Sequence, residues 1–241
     1  MDHVSIDELN AQFDGAAPET IIAWAADRFM PRLAATSSFQ TQSVALLHLI
    51  GQVRPDLPVI FLDTGYHFPE TLAYRDQLVT QFGLTLRIAR PAANAGSGAR
   101  AGGDALYRRD PDLCCYINKV EPMQRALAGL DAWISGIRRD QTAARAAIRT
   151  VEALPDGRLK INPLAAWTRE DLWRYIHAHN LPAHPLFSQG YLSVGCAPCT
   201  SPVTRDQDER AGRWSGTGKT ECGLHTPALH PPRDRDEEPG P

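Results

Sequence analysis

The fold is decided by residues 58–65, which read PVIFLDTG. Five apolar or β-branched residues that end in a polar turn are typical of a buried strand in a parallel sheet, with functional groups at its C-terminal end. A second strand is predicted at Leu33 to Thr36, followed by a polar turn and a helix from Val44. A helix from Pro69 to Phe82 and a third strand from Leu84 to Ile88 follow. This alternation predicts an α/β fold with a parallel sheet.

Helix and strand signals continue on both sides of this region. Ser5 and Glu8 have the spacing of a capping box, and Pro18 opens a second helix. Asp131 to Ile137 reads as a fourth strand, and Thr168 as the N-cap of a later helix. The predicted alternation therefore covers most of the chain.

The composition is that of a soluble globular protein. The 241 residues are 43% hydrophobic and 22% charged, which is enough for one sizeable core. A formal net charge of -3 and a pI near 6.2 give no general attraction to nucleic acid or to anionic membranes. No apolar run approaches the roughly 18 residues of a membrane span, and the N-terminus lacks a signal-peptide pattern. We therefore expect a cytoplasmic protein.

The chain is expected to form one domain with a distinct C-terminal end. We predict a folded domain over residues 1–215, a mobile segment over 216–226 that begins at Gly216-Thr217-Gly218, and a disordered tail over 227–241. The tail is rich in proline and mixed charges and has almost no apolar residues.

Four of the five cysteines fall in two pairs, Cys114-Cys115 and Cys196-Ala197-Pro198-Cys199. In a reducing cytosol such cysteines are metal ligands or reactive groups before they are disulfides. Four thiolates suit tetrahedral zinc or an iron-sulfur cluster. The adjacent pair favours the cluster, because neighbouring cysteines are poorly placed to bind one small ion whereas a cubane offers separate irons. Buried free cysteines are the remaining alternative.

The fifth cysteine, Cys222, lies near the C-terminus beside the flexible glycines. Lys219 and His225 would favour its thiolate form, and the glycines would let the segment open and close. On spacing alone, Cys222 is either an incidental thiol or a mobile nucleophile.

Six cations could form a local anion site: Lys119, Arg138, Arg139, Arg145, Arg210 and Arg213. The first three arginines follow the predicted fourth strand, at the edge where open α/β sheets bind ligands. The last two are three residues apart, so on a helix they would project from one side and could fork a phosphate or sulfate. Lys119 would share a helical face with Cys115. Each of these cations is also compatible with an ordinary solvated surface.

Seven segments resemble the assimilatory sulfonucleotide reductases, the family that reduces adenylyl sulfate or its 3′-phosphorylated form. They are SFQTQS at 38–43, LDTGYHFPET at 62–71, CC-x3-K at 114–119, G-x-RR-x-Q-x3-R at 136–145, GC-x2-C at 195–199, R-x2-RW at 210–214 and K-x-ECGLH at 219–225. The four paired cysteines and the closing KTECGLH are the most specific parts. They are similar to the cluster-binding adenylyl-sulfate reductase branch of the family.

The resemblance implies a fold and a set of site residues. The fold is the α/β adenine-nucleotide α-hydrolase (PP-loop) type, three layers around a mainly parallel sheet, with a modified pyrophosphatase-type loop at 38–43 and a flexible C-terminal segment. Residues 1–215 would form the nucleotide-binding and cluster-binding domain, and residues 216–226 the catalytic segment. Cys114, Cys115, Cys196 and Cys199 would bind one 4Fe-4S cluster per chain, and Cys222 would be the nucleophile. The implied substrate-binding residues are Ser38, Gln42, Leu62, Asp63, Gly65, Lys119, Gly136, Arg138, Arg139, Arg145, Arg210, Arg213 and His225. Leu62 to Gly65 would line an adenosine pocket, and the cations would neutralise the phosphosulfate.

The implied reaction is reduction of adenylyl sulfate to sulfite and AMP in assimilatory sulfate reduction. The Cys222 thiolate would attack the sulfate sulfur and form an S-sulfocysteine, which a thiol of thioredoxin or glutaredoxin would resolve. Neither nucleic acid nor a membrane is expected as a partner, and a homo-oligomer is compatible with the sequence.

Three alternatives stay open. The SFQTQS loop also resembles the cluster-free reductases that take 3′-phosphoadenylyl sulfate, so that substrate or dual use is compatible with the chain. A zinc-dependent nucleic-acid module built on the four cysteines would need a basic, aromatic surface, against which the acidic pI argues. An ATP-using relative of the fold would normally keep a Ser-Gly-Gly-x-Asp-Ser loop, and the loop here lacks both glycines and the acid.

Overall fold

The computed structural model describes residues 5–92, 106–204, 206–217 and 219–224. The predicted disordered tail at 227–241 and the predicted site residue His225 lie outside these ranges.

One sheet organises the described part of the chain. Its strands are β1 (Leu33–Thr36), β2 (Pro58–Leu62), β3 (Thr85–Ala89), β4 (Ala132–Ile134), β5 (Val151–Ala153) and β6 (Leu159–Ile161). The spatial order is β3-β2-β1-β4-β6-β5. All neighbours are parallel except β5, which pairs antiparallel with β6. The predicted mainly parallel α/β sheet is confirmed.

Helices connect these strands. They are α1 (Ile6–Gln12), α2 (Pro18–Phe29), α3 (Val44–Val53), α4 (Pro69–Phe82), α5 (Leu106–Arg109), α6 (Pro111–Cys115), α7 (Glu121–Leu127) and α8 (Arg169–Ala178). The predicted start signals are present: both Ser5 and Thr168 close capping boxes, and Pro18 stands in the first turn of α2. Gly83 ends α4 in the left-handed region at φ +64, a conformation that glycine adopts without steric cost.

Alternate residues of the strands bury two different faces. Ala35, Phe61 and Ile134 belong to the large core, which also holds buried residues of α1 to α4 and α8. Ala34, Ile60 and Trp133 pack on the opposite face against Met123 and Leu127 of α7. Because side chains alternate across a strand, helices on both faces complete a three-layer arrangement.

The structure corrects several predicted boundaries. The third strand is shifted by one residue, and the fourth ends at Ile134 instead of Ile137, so Ser135 begins a loop. The hairpin of β5 and β6 was not predicted. A π-helical turn, Tyr116–Val120, stands where an α-helix was assumed in placing Lys119 on the face of Cys115. No described helix is long and apolar enough to cross a membrane.

Candidate active site next to four cysteines

A cleft opens at the C-terminal ends of β1, β2 and β4. These strands run parallel, so the loops that follow them meet at one edge of the sheet, where open α/β sheets bind their ligands. The space between the cleft walls is about 1180 Å³, a volume that includes open solvent. Its wall comes from these three loops, the π-helical turn and the C-terminal segment.

The loop after β1 supplies Ser38 and Gln42 to the wall. Phe39 anchors this loop: it is fully buried, has a positive φ of 50°, and packs edge-on against Phe61 at 5.6 Å between ring centroids. The Oγ atoms of Ser38 and Ser43 lie 3.4 Å apart just before α3 begins. The polar groups of the loop are thus held at the mouth of the cleft by an aromatic contact underneath.

Gln42 is fixed from two directions. Its Oε1 accepts hydrogen bonds from Arg138 Nη1 and Gln141 Nε2, both at 3.3 Å, and its Nε2 donates to Glu209. Arg138 is only 2% exposed and pairs with Asp140 at 2.9 Å. Arg138 therefore braces Gln42 and is not among the described residues that line the cleft.

The loop after β2 contributes Leu62 to the wall, while Asp63 and Gly65 stand outside the described lining. The Asp63 carboxylate accepts from the Gly65 N–H at 3.0 Å and pairs with Arg90 at 3.0 Å. Gly65 has φ +72. These two residues shape the turn that presents Leu62 and the residues after it.

His67 also lines the cleft, although the sequence reasoning assigned it no role. Its Nε2 lies within hydrogen-bonding distance of the Leu62 carbonyl oxygen, at 2.8 Å. Its ring packs on Phe61 at 4.7 Å between centroids. Burial lowers the pKa of His67, which favours the neutral imidazole.

The loop after β4 contributes Ser135 and Gly136. Ser135 Oγ donates to Asn162 Oδ1 at 2.6 Å. A Cβ on Gly136 would lie 3.2 Å from Leu46 Cδ2, so glycine allows this close approach. Arg139, in contrast, is exposed and donates to the Ile148 carbonyl at 2.8 Å, outside the described wall of the cleft.

Four of the six predicted cations reach the wall: Lys119, Arg145, Arg210 and Arg213. Three buried donors in the wall have no hydrogen-bond partner among the described residues: Arg145 Nε, Arg213 Nε and Trp214 Nε1. Buried donors are almost always paired in folded proteins. This part of the cleft therefore offers unused donors to an acceptor-rich ligand.

Four cationic side chains lie around the indole ring of Trp214. Its ring centroid is 4.6 Å from Arg213 Cζ, 5.7 Å from Lys219 Nζ, 5.8 Å from Lys119 Nζ and 6.0 Å from Arg210 Cζ. Trp214 is 4% exposed and has φ +50, an uncommon conformation for a bulky residue. Four cations around one indole ring concentrate positive charge locally in a chain of net charge -3.

The C-terminal segment, residues 219–224, closes one side of the cleft. Cys222 is half-buried and lines the cleft together with Glu221 and Leu224. Leu224 packs on the apolar cluster of Ile60 and Met123. The structure thus holds the candidate nucleophile beside the cationic wall.

The four paired cysteines line a second, smaller cavity. Cys114 and Cys115 end α6, Cys196 precedes a 3₁₀ turn, and Cys199 is the last residue of that turn. Cys196 and Lys119 belong to the walls of both cavities. The two predicted sites are therefore adjacent and share residues.

The protonation of this cysteine group reflects its burial. Burial, together with the neighbouring thiols, raises the pKa of Cys114 to about 12. Burial also raises the pKa values of Cys115 and Cys199. For Lys119, burial lowers the pKa, but negative charge at Cys196, Cys115 and Cys222 raises it by more, so its pKa lies above the ordinary value. Crowded thiols of this kind are deprotonated by a bound metal.

Four sulfur donors are a ligand type that suits an iron-sulfur cluster, but in the described part of the chain their side chains are not arranged as a metal site. Four sulfurs line one cavity, Asn118 Nδ2 donates to Cys114 Sγ at 3.5 Å, and Thr64 Oγ1 lies 3.3 Å from Cys196 Sγ. Such hydrogen bonds to ligand sulfurs tune clusters. Within the described ranges, no three His, Cys, Asp or Glu side chains form a group that could hold a metal ion.

Backbone contacts tie the cysteine loop to the cleft. Cys196 forms an isolated antiparallel bridge with His67, and the Ala197 N–H donates to the Tyr66 carbonyl at 2.7 Å. The Trp214 N–H donates to the Cys199 carbonyl at 3.0 Å. Backbone hydrogen bonds thus connect the cysteine loop both to the loop after β2 and to the segment that contains Trp214.

Sequence reasoning missed three residues of the site: His67, Trp214 and Glu221. All three stand inside the quoted segments, and Glu221 directly precedes Cys222. An acid beside a nucleophile and an aromatic beside two arginines were usable signals, but their partners come from other loops and could not be assigned from spacing.

Comparisons with known proteins found a matching family model and relatives that are similar over most of their length. The model of the phosphoadenosine phosphosulfate reductase domain matches residues 32–202. The adenosine 5′-phosphosulfate reductase of Chelativorans sp. (strain BNC1) is 47% identical over 225 residues, 92% of this chain and 91% of that protein. The phosphoadenosine 5′-phosphosulfate reductase of Gloeobacter violaceus is 42% identical over 229 residues, 93% of this chain and 95% of that protein.

Solved structures show the same fold. The phosphoadenylyl-sulfate reductase of Candida auris, a phosphate complex, has a TM-score of 0.71 and 31% identity and covers 84% of this chain and 98% of that one. The FMN adenylyltransferase of Candida glabrata has a TM-score of 0.57 and 14% identity, covers 92% of this chain and 80% of that one, and is similar in fold alone.

Proposed function

The chain belongs to the phosphoadenosine phosphosulfate reductase family, and from this premise we propose that it reduces adenosine 5′-phosphosulfate to sulfite and AMP. The observation that carries the proposal is the convergence of Cys222, the cationic wall and the four-cysteine cavity in one place. The reaction would serve assimilatory sulfate reduction in the cytoplasm, where all five cysteines are expected to be reduced.

In this proposal the nucleotide lies across the loops after β1, β2 and β4, and its phosphosulfate lies against the cations around Trp214. Both the substrate and an attacking thiolate are negative. Fixed positive charge in a partly dry cleft offsets their repulsion as they approach, and it costs no reorganisation during the reaction.

Cys222 is the proposed nucleophile. Its thiolate attacks the sulfate sulfur, the bond from sulfur to the bridging phosphate oxygen breaks, and AMP leaves with that electron pair. An S-sulfocysteine remains on the enzyme. A thiolate of thioredoxin or glutaredoxin then attacks the Cys222 sulfur and releases sulfite, and its second thiol resolves the mixed disulfide. The two electrons of the reduction come from that dithiol.

Cys114, Cys115, Cys196 and Cys199 are proposed to hold one 4Fe-4S cluster. When bound, it supplies a fixed local charge next to Lys119 and joins the α6 segment to the Cys196 loop. The residues that bind and orient the substrate remain those of the cleft.

Replacing Cys222 by serine tests the reaction. Wild-type protein incubated with adenosine 5′-phosphosulfate and no reductant should gain the mass of one SO₃ group on Cys222, and Cys222→Ser should neither gain it nor release sulfite. The iron-sulfur absorption should be the same in both proteins. Full sulfite release by Cys222→Ser would refute the assignment.

The relatives carry two substrate names, so the substrate is tested directly. Turnover of adenosine 5′-phosphosulfate and of its 3′-phosphorylated form, compared with thioredoxin as donor, decides between them. An absorption spectrum with metal analysis of anaerobically purified protein separates an iron-sulfur cluster from a zinc site on the same cysteines.

A further inference from the structure

Glu221, the residue before Cys222, contacts two arginines of the cationic wall. Its carboxylate pairs with Arg145 Nη2 at 2.8 Å and with Arg210 Nη2 at 3.3 Å. Thr142 Oγ1 also donates to it at 3.4 Å. The Glu221 and Arg145 side chains are 15% and 10% exposed. A doubly paired carboxylate with this little exposure is held more firmly than a surface ion pair.

These contacts divide the cations of the cleft into two groups. Arg145 and Arg210 are engaged by Glu221. Lys119 and Arg213 have no carboxylate partner in the described part of the chain, and Arg213 Nη1 reaches only Ser193 Oγ and the Val194 carbonyl, each at 3.4 Å. An incoming anion meets Lys119 and Arg213 free of carboxylates, whereas at Arg145 and Arg210 it also meets Glu221.

The rest of the segment is docked by contacts on both sides of Glu221. Lys219 forms an ion pair with Asp112, close to the first cysteine pair. Arg210 Nη2 donates to the Thr220 carbonyl at 2.9 Å. Gly223, at φ +88, allows a close approach in which an added Cβ would lie 3.3 Å from Val120 Cγ2. Cys222 lies between these contacts, so their geometry fixes its position.

We propose that Glu221 is a positioning residue that latches the Cys222 segment over the cleft through Arg145 and Arg210. The inference rests on the proposed function for its view of Cys222 as nucleophile.

The latch has a consequence for charge. Closing the segment carries both a carboxylate and a thiolate toward an anionic substrate. Arg145 and Arg210 compensate the carboxylate, so that the closed state adds only the thiolate to the negative charge near the substrate.

The test is the rate of alkylation of Cys222 by iodoacetamide, measured against pH in wild type and Glu221→Gln. The plateau at high pH reports access to the thiolate, and the midpoint reports its pKa, so a change in opening is separated from a change in ionisation. Loss of about 1–2 kcal/mol of docking free energy should raise the plateau roughly five- to thirtyfold. Glu170→Gln, which removes one acid of an exposed helical pair with Arg174, is the matched control and should leave the plateau unchanged.

Single-turnover kinetics provide the second readout. Glu221→Gln should slow formation of S-sulfocysteine while changing the Kd for adenosine 5′-phosphosulfate less than twofold, and Arg213→Ala should raise that Kd about tenfold or more. An unchanged alkylation plateau in a folded Glu221→Gln protein overturns the latch. If the alkylation plateau is unchanged and the nucleotide Kd rises strongly in Glu221→Gln, Glu221 acts on the substrate site and the latch is also overturned.

The alkylation experiment needs no turnover. Wild-type protein that protects Cys222 but releases no sulfite would refute the proposed function and leave the latch standing. Glu221→Asp, which keeps the charge on a shorter side chain, guards against a folding defect, and it should restore part of the protection.

Discussion

The missing side chain of Gly195 leaves room for the Arg213 guanidinium. Replacing Gly195 by alanine should therefore displace Arg213 and weaken nucleotide binding. A Cβ built on Gly195 meets Arg213 Nη2 and would lie 2.5 Å from Cζ and 3.1 Å from Nε. The guanidinium therefore lies directly on the backbone just before Cys196. Gly195 does not have a positive φ, so alanine fits the backbone itself and only the side-chain contact changes.

The size of the effect follows from these distances. Non-bonded carbon atoms prefer separations of about 3.5–4.0 Å, so in Gly195→Ala the guanidinium carbon must retreat by about 1 Å or more. A hydrogen bond to a charged group is worth about 1.5–3 kcal/mol. Losing the contact between Arg213 and the phosphosulfate should raise the nucleotide Kd roughly ten- to a hundredfold. Stability should change little, because a flexible side chain gives way.

A double-mutant cycle tests this reasoning. The Kd for adenosine 5′-phosphosulfate is measured by calorimetry in wild type, Gly195→Ala, Arg213→Ala and the double variant. If Gly195→Ala acts through Arg213, it should weaken binding strongly in the wild-type background and by less than twofold once Arg213 is gone. The iron-sulfur absorption is recorded for each variant, because Gly195 adjoins Cys196.

Equal effects of Gly195→Ala in the two backgrounds would refute the reasoning. The methyl group would then act on the cysteine loop or on the cleft wall rather than through the guanidinium. Loss of absorption in Gly195→Ala alone would identify the cysteine loop as the cause.

Two further predictions concern buried hydrogen bonds. Burial lowers the pKa of His184 to about 4, whereas in the unfolded chain this histidine binds a proton near pH 6.5. The free energy of unfolding therefore falls as the pH is lowered between these two values. In urea unfolding, wild type should lose about 2 kcal/mol more than His184→Gln between pH 7 and 5. A pH dependence that is the same in His184→Gln would contradict this. Thr64→Val removes the hydroxyl that lies 3.3 Å from Cys196 Sγ. Because hydrogen bonds to ligand sulfur favour the reduced cluster, the proposed cluster should show a more negative reduction potential in this variant by protein-film voltammetry. An unchanged potential would exclude Thr64 as a hydrogen-bond donor to the sulfur.

Much of the fold was predictable because its signals are local. The run at 58–62 has no polar residue to interrupt it, Thr168 and Asp171 carry their own capping box, and Pro69 to Phe82 is bounded by proline and glycine. The β5–β6 hairpin was missed because Lys160 and Glu152, which form a buried ion pair at 3.0 Å, break the apolar pattern of the strands. Their charges are compensated only across the hairpin.

The membership of the site was only partly predictable. Sequence spacing indicated which cations could bind an anion, but burial and partners decide what each one does. Arg138 pairs with Asp140 and donates a hydrogen bond to Gln42, and Arg139 donates to a backbone carbonyl. Such assignments depend on contacts between residues that are far apart in sequence, and a list of arginines contains none of that information.

The adjacency of the two cavities has a physical reason that centres on Lys119. A half-buried ammonium needs negative charge nearby, but a carboxylate in contact would occupy the donors that a substrate must use. With the proposed cluster bound, the compensation would come from sulfur: thiolates at Cys196 and Cys115 would stabilise the protonated lysine from the cysteine side. Thiolates committed to a metal would compensate the charge without capturing its hydrogen bonds. Lys119 can then remain charged and available at the wall of the cleft, and this requires the cysteine group to lie next door rather than elsewhere in the fold.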